Sequence, residues 1–279
     1  MALGVRIIGT AATMQGIIAR NLETVRRRIA EAAERGGRSA QDVTLVAVTK
    51  LRSAEEIRDL LSAGQRVLGE NRVQEALEKI AALADDEPLE PPIEWHLIGH
   101  LQTNKARKII DKVALVHSLD SLRLAEAIQR EAERANRTVE VLLQVGVSGE
   151  ESKFGVCADD VESVASGLRP FDRLRCTGLM TMAPLVADPE ETRPMFRALR
   201  RAFERLRERG EEHLDLRRLS MGMTNDFEVA VEEGATLVRI GTALFEGSRA
   251  SRKMRQGRAA EARREDEGYD NGGSVVVSN

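Results

Sequence analysis

Cysteine and aromatic side chains are scarce in this sequence, long apolar runs are missing, and neither sign of charge dominates. Its two cysteines, Cys157 and Cys176, cannot build a disulfide framework, and such scarcity fits a reducing compartment. They lack the C-x-x-C spacing of a redox or metal motif and are expected in the core or wall. Six phenylalanines, Trp95 and Tyr269 are the only aromatics, so the core of this 279-residue chain must be aliphatic. No stretch approaches the roughly 18 apolar residues that cross a bilayer, which excludes an integral helical membrane protein. Residues 1–15 are mildly apolar, but Arg6 and Gly9 interrupt them and no basic region precedes them, so no secretory signal is read there. With 42 basic against 45 acidic residues, the formal net charge is −3. Bulk charge therefore points to no nucleic-acid or membrane partner, and a cytoplasmic location is expected.

What is present is alternation. Residues 14–35 place Ile17, Ile18, Leu22, Val25, Ile29 and Ala32 on one helical face, and Gly36-Gly37 ends that helix. Residues 43–48 are a continuous apolar run, the pattern of a parallel strand buried on both faces. Ser53 followed by Glu56 predicts a capped helix start. Further strands are predicted over 66–69, 94–99, 114–117, 139–147, 173–182, 216–221 and 236–240. Helices are predicted over 73–84, 103–111, 121–136, 158–167, 188–210 and 226–233. Eight strand–helix units in about 250 residues predict an α/β (β/α)8 TIM barrel, with an open doubly wound sheet as the competitor. Residues 249–264 carry seven basic residues against Glu261 alone, and the remainder is acidic, then Gly/Ser-rich. The expected organisation is one barrel over residues 1–249, including the extra N-terminal helix, and a disordered charged tail over 250–279.

Barrel chemistry sits at the C-terminal ends of the strands. The candidates there are Lys50, Glu70 with Asn71, His100, Ser118 with Asp120, Ser148, Met182, Ser220 with Gly222, and Arg239 with Gly241 and Thr242. Lys50 directly follows an apolar strand. A desolvating wall would lower its pKa toward the nucleophilic amine that imine chemistry needs. The plainer reading is a lysine that marks the strand end and points to solvent. Gly222 and Gly241, beside Ser220 and Thr242, end the seventh and eighth strands, where barrels often bind phosphate. The plainer reading there is two ordinary strand-to-helix turns. An amine facing a phosphate site implies a phosphorylated aldehyde, with pyridoxal phosphate the first candidate and a phosphosugar the second. His96 and His100 flank a strand segment, so they share no helical face and do not predict zinc. Residues 146–153 lack the Gly-Lys-Ser/Thr ending of a phosphate loop. Asp226, Glu228, Glu232 and Glu233 read as a solvated helix face.

Several segments then carry a resemblance. They are Ala47-Val48-Thr49-Lys50, Gly69-Glu70-Asn71, Trp95-His96-Leu97-Ile98-Gly99-His100-Leu101-Gln102-Thr103-Asn104-Lys105, Ser152-Lys153-Phe154-Gly155, Gly178-Leu179-Met180, and the two closing turns around Gly222 and Gly241. In this order, from about residue 20 to 249, they resemble the pyridoxal-phosphate homeostasis protein family. The resemblance implies a fold-type-III barrel like the N-terminal domain of alanine racemase, with pyridoxal 5′-phosphate as cofactor. It implies that Lys50 is the lysine of the internal aldimine, and that Ser220, Arg239, Gly241 and Thr242 bind phosphate with a Gly222 amide nearby. Asn71 and His96 would line the cofactor pocket. It further implies buffering or delivery of the cofactor, apo-enzymes as partners, an influence on amino-acid and keto-acid pools, and a monomer or weak dimer. The chain departs from the family pattern at Gly146, usually Asn, and at His100, usually Pro.

The competing function is a minor fold-type-III racemase or lyase. Such racemases add a β-domain that supplies a tyrosine base, whereas about 30 residues follow the eighth unit here and Tyr269 sits in the polar tail. A cofactor holder rather than an enzyme is expected.

Overall fold

A computed structural model of the protein describes residues 14–86, 88–147 and 155–248. Residues 1–13, Ser148, Ser152-Lys153-Phe154, Tyr269 and the tail over 250–279 lie outside the described residues.

Helix α1 (Met14–Arg35) runs as its apolar periodicity requires, burying Ile18, Leu22, Val25, Ile29 and Ala32. It ends where Gly37 adopts φ +67°, with Gly37 N–H bonding Glu34 O and Arg38 N–H bonding Ala33 O. This paired closure satisfies two of the carbonyls that a helix end leaves open. Among the described residues nine strands follow: β1 (Thr44–Val48), β2 (Val67–Glu70), β3 (Glu94–Leu97), β4 (Leu115–Leu119), β5 (Val139–Gly146), β6 (Val156–Cys157), β7 (Leu174–Met180), β8 (Leu214–Ser220) and β9 (Leu237–Ile240). All their pairings are parallel. The sheet order is β4-β3-β2-β1-β9-β8-β7-β5-β6, and a β4–β5 pairing closes eight of the strands into a ring. The two-residue β6 adds to β5 outside that ring. The predicted barrel is therefore the fold, and the open-sheet alternative is excluded by the closure.

The helices between the strands are α2 (Ala54–Ser62), α3 (Val73–Ala82), α4 (Ala106–Ile109), α5 (Leu122–Arg134), α6 (Val161–Ser166), α7 (Arg193–Glu208), α8 (Phe227–Glu232) and α9 (Thr242–Phe245). Helix α2 carries the predicted capping box, Ser53 and Glu56 each bonding the other's backbone N–H. The helix expected over 103–111 is instead a 3-10 turn over Thr103–Lys105 followed by the four-residue α4, with no side-chain cap at its start. Strand parity divides the core in two. Val46, Val48, Ile98, Leu115, Leu142, Met180 and Leu237 pack inside the ring, while Leu45, Ala47, Leu68, Leu97 and Val116 face the helices. Each fully buried aliphatic side chain contributes about 1.5–3 kcal/mol, so most of the stability resides in these layers.

One inter-strand contact leaves no room for a side chain. A Cβ on Gly178 of β7 would lie 1.8 Å from the Arg218 carbonyl of β8, where the β7–β8 register also shifts. Gly178→Ala is expected to cost about 3 kcal/mol, because backbone rather than a flexible side chain must yield. Chemical denaturation against the wild type measures it.

Candidate functional site

The C-terminal mouth of the ring opens into a cavity of about 400 Å³. Its walls include Val48, Ile98 and Met223, and its polar lining includes Lys50, Arg52, Asn71, Thr224, Asn225, Asp226, Arg239, Gly241 and Thr242. The glycine turns after β8 and β9 thus reach the same mouth as the lysine after β1, because β9 pairs directly with β1.

Lys50 sits on a turn rather than in a wall. Thr49 is buried, Arg52 N–H bonds Thr49 O at 3.0 Å, and Leu51 between them takes φ +60° and is 59% exposed. The desolvating wall expected around Lys50 is not found: the residue is exposed, and its side chain lines the open cavity. The strand stops at Val48, so the turn carries Lys50 above the apolar layer. The turn is anchored from beneath by a buried ion pair. Lys79 Nζ donates to Glu70 Oε1 and to Thr49 O, each at 2.6 Å, and Thr49 Oγ1 also bonds Glu70.

Arg52 was not anticipated from sequence. Its guanidinium lies 4.6 Å over the Phe245 ring and 3.6 Å from Glu56, beyond hydrogen-bond reach. Both Glu56 oxygens are engaged, by Ser248 Oγ at 2.7 Å and Ser53 N–H at 3.2 Å. Arg52 Nη1 is buried without a hydrogen-bond partner, and burial lowers the arginine's pKa. Asn71 Oδ1, in the same lining, is likewise buried and unpartnered. Two orphaned polar atoms in one lining mark a place built for a polar ligand.

Arg239 forms the floor of the cavity and is 4% exposed. Its Nη1 donates to Ser220 Oγ at 2.5 Å and its Nη2 to Thr181 O at 2.8 Å. Burial pushes its pKa down to about 10, opposed by the nearby Asp226 charge, so it stays cationic at neutral pH. Below it Ser220 Oγ meets His117 Nδ1 at 2.9 Å, His117 Nε2 meets His96 Nδ1 at 3.0 Å, and His96 Nε2 meets Glu94 Oε1 at 2.8 Å. Among the residues expected to touch ligand, Lys50, Asn71, Arg239, Gly241 and Thr242 line the cavity. Ser220 and His96 do not; they point inward beneath Arg239 because their strand positions share its parity. Gly222 turns away at φ +91°, its absent side chain facing Ala230 and Phe227, while its carbonyl accepts the Arg239 N–H at 3.0 Å.

Other expectations are corrected. Asp226 is 5% exposed and lines the cavity, with Oδ1 accepting Met223 N–H at 2.5 Å; burial raises its pKa. Glu228 pairs with Arg28, and Arg193 joins Glu190, Glu232 and Glu233, so the supposed solvated face binds neighbouring helices. Cys176 is core, its thiol pushed up to about 11 by burial, but Cys157 is exposed. His100 sits 3.1 Å from Asp120 at the rim, and no metal-ligating cluster occurs among the described residues. Gly146 ends β5, close to Gly155: a Cβ on Gly155 would lie 3.2 Å from Gly146 N.

Comparison with known proteins gives a consistent result. The family model for the alanine racemase N-terminal domain matches residues 19–249. The pyridoxal phosphate homeostasis protein of Aquifex aeolicus is 44% identical over 224 residues, covering 80% of this chain and 95% of that protein. The protein of the same name from Escherichia coli K12 is 37% identical over 236 residues, covering 85% and 99%. The solved structure of PipY from Synechococcus elongatus PCC7942 with PLP bound has a TM-score of 0.70 at 37% identity, covering 82% of this chain and 99% of that one.

The anchor under Lys50 is testable by stability alone. Lys79→Met leaves Glu70 charged and buried, and is expected to cost about 3–5 kcal/mol. Adding Glu70→Gln should recover part of that loss in the same denaturation assay.

Proposed function

Since the chain belongs to the pyridoxal phosphate homeostasis proteins, a family built on the alanine racemase N-terminal domain, we propose that it holds pyridoxal 5′-phosphate in the barrel mouth and buffers or delivers it. The observation that carries this reading is the donor set. One amine, Lys50, shares a cavity with two guanidiniums, Arg52 and Arg239, and the hydroxyls of Thr224 and Thr242. A ligand with an anion at one end, an aldehyde at the other and a flat ring between satisfies all of them. The unpartnered Arg52 and Asn71 atoms fit it as well.

Bound there, the cofactor supplies an aldehyde that condenses with a primary amine and a ring that accepts electron density. Lys50 provides that amine from an exposed turn, in reach of exchange with incoming amines. Thr224, Asn225, Gly241, Thr242 and Arg52 would hold the phosphate. Val48, Ile98 and Met223 would pack the ring, and Arg239 would offer it a fixed cation. Ser220 and Gly222 act behind Arg239, holding it in place.

A holder is favoured over a racemase by what faces the cavity. Racemisation needs a proton acceptor on each face of the cofactor. Among the described lining residues the acceptors are Lys50 and Asp226, and Asp226 is engaged by Met223 N–H. The relatives are named for homeostasis. The reading extends to apo-enzymes as recipients, a cytoplasmic setting and a monomer or weak dimer. Among the described residues no helix is long and apolar enough to cross a membrane.

Added pyridoxal phosphate should turn the protein yellow, and borohydride should fix the adduct on the Lys50 peptide, read by mass spectrometry. Lys50→Ala should abolish both. A colourless protein that is fixed only with sugar phosphates would overturn the reading in favour of an aldolase. Arg52→Ala should weaken affinity about tenfold, the loss of one charge-assisted hydrogen bond. Incubation with D- and L-amino acids should give no turnover above that of free cofactor, and transfer to an apo-enzyme should outpace spontaneous release.

A further inference from the structure

Five polar groups from four strands form a continuous hydrogen-bonded column through the barrel. Glu94 opens it at the N-terminal mouth, where its side chain is 44% exposed. His96 and His117 follow, 2% and 0% exposed, then fully buried Ser220, and Arg239 closes it under the cavity. The cavity chemistry accounts for Arg239 but leaves the two imidazoles unexplained.

The ends of the column dictate its direction. A guanidinium only donates and a carboxylate only accepts. Arg239 Nη1 therefore donates to Ser220 Oγ and His96 Nε2–H to Glu94, and with both rings neutral the serine proton goes to His117 Nδ1. His117 then carries its proton on Nε2 and donates to His96 Nδ1. His96 in turn carries its proton on Nε2 and donates to Glu94. Ser220, His117 and His96 are then each used once as donor and once as acceptor within the column, and neither ring has a site for a second proton.

We propose that Glu94, His96 and His117 are positioning residues for Arg239: the Glu94 carboxylate holds both imidazoles as neutral Nε2–H tautomers, which turns the Ser220 lone pairs to the guanidinium and sets its orientation at the cavity floor. The functional half of this proposal rests on pyridoxal phosphate lying against Arg239. The column itself belongs to the unliganded protein. Burial, first of all, with the nearby charges of Arg239 and Arg218, drives the His117 pKa well down, as a neutral ring requires. The His96 bond lowers that of Glu94 despite opposing burial, with Arg218 adding to it. Arg218 of β8 is itself paired to Glu140 of β5, so these are the further charges facing the column from its N-terminal side.

The test is long-range ¹H–¹⁵N correlation on histidine-labelled protein without ligand. The chain has four histidines, and substituting His100 and His213 in turn assigns the other two. Both His96 and His117 should be neutral and protonated at Nε2 at neutral pH. Glu94→Gln, at the half-exposed end where folding is safe, keeps an acceptor but can also present its NH2. The direction is then no longer dictated, and both rings should shift to tautomer mixtures, His117 included although it does not touch residue 94. An Nδ1–H or cationic ring in the wild type, or a change confined to His96, would overturn the column. In loaded protein Glu94→Gln should weaken pyridoxal phosphate about three- to tenfold while borohydride still fixes it on Lys50. Unchanged affinity with altered tautomers would overturn the positioning role. Absence of cofactor binding by the wild type refutes the proposed function instead and leaves the tautomer result standing.

Discussion

A guanidinium buried in the centre of a barrel has to be satisfied, and in this molecule that requirement organises the ground beneath the cavity. Leaving the Arg239 charge unpaired there would cost several kcal/mol, so its neighbours are arranged around it. The last turn of β8 supplies Ser220, the segment after β7 supplies the Thr181 carbonyl, and the segment after β8 brings Asp226 near enough to favour the charge. Even its main chain is tied in, through the Gly222 carbonyl. Strands β8 and β9 share a single ladder pairing, Ser220 with Leu237, so these side-chain and turn bonds hold together what the ladder alone holds weakly.

The mouth above follows from that floor. Among the described lining residues, Arg239, Arg52 and Lys50 face one cavity against the single carboxylate of Asp226, a local excess of positive charge in a chain whose net charge is negative. An anion finds a net positive lining there. Lys50 differs from the arginines in standing on an exposed turn held from below by the Glu70–Lys79 pair. A rigid base under an open amine suits a group that takes up a ligand and gives it back.

Much of this was legible in the sequence. Apolar runs located all eight barrel strands, Ser53 and Glu56 announced the start of α2, and Gly36-Gly37 announced the end of α1. Lys50 stood out because a charge directly after a doubly buried strand has to emerge at a mouth. Other residues gave misleading signals. Asp226 looked like one acid among four on a helix face, yet its neighbour Met223 and the cavity wall enclose it. Ser220 and Gly222 were read with the phosphate turn because they adjoin it in the chain, but parity sends Ser220 inward and a positive φ turns Gly222 aside. Arg52 gave no sign, since its role depends on Phe245, almost two hundred residues away.

The sequence by itself determined the barrel and the number and order of its units. These follow from local periodicity and from turn and cap residues, whose physics is complete within a few positions. Only the tertiary structure decided what each polar group inside the ring touches. Glu94, His96, His117, Ser220 and Arg239 lie on four strands and meet because closure, parity and register bring those strands' inward faces to one axis. A hydrogen bond across a barrel has no sequence period, so no reading along the chain can find it.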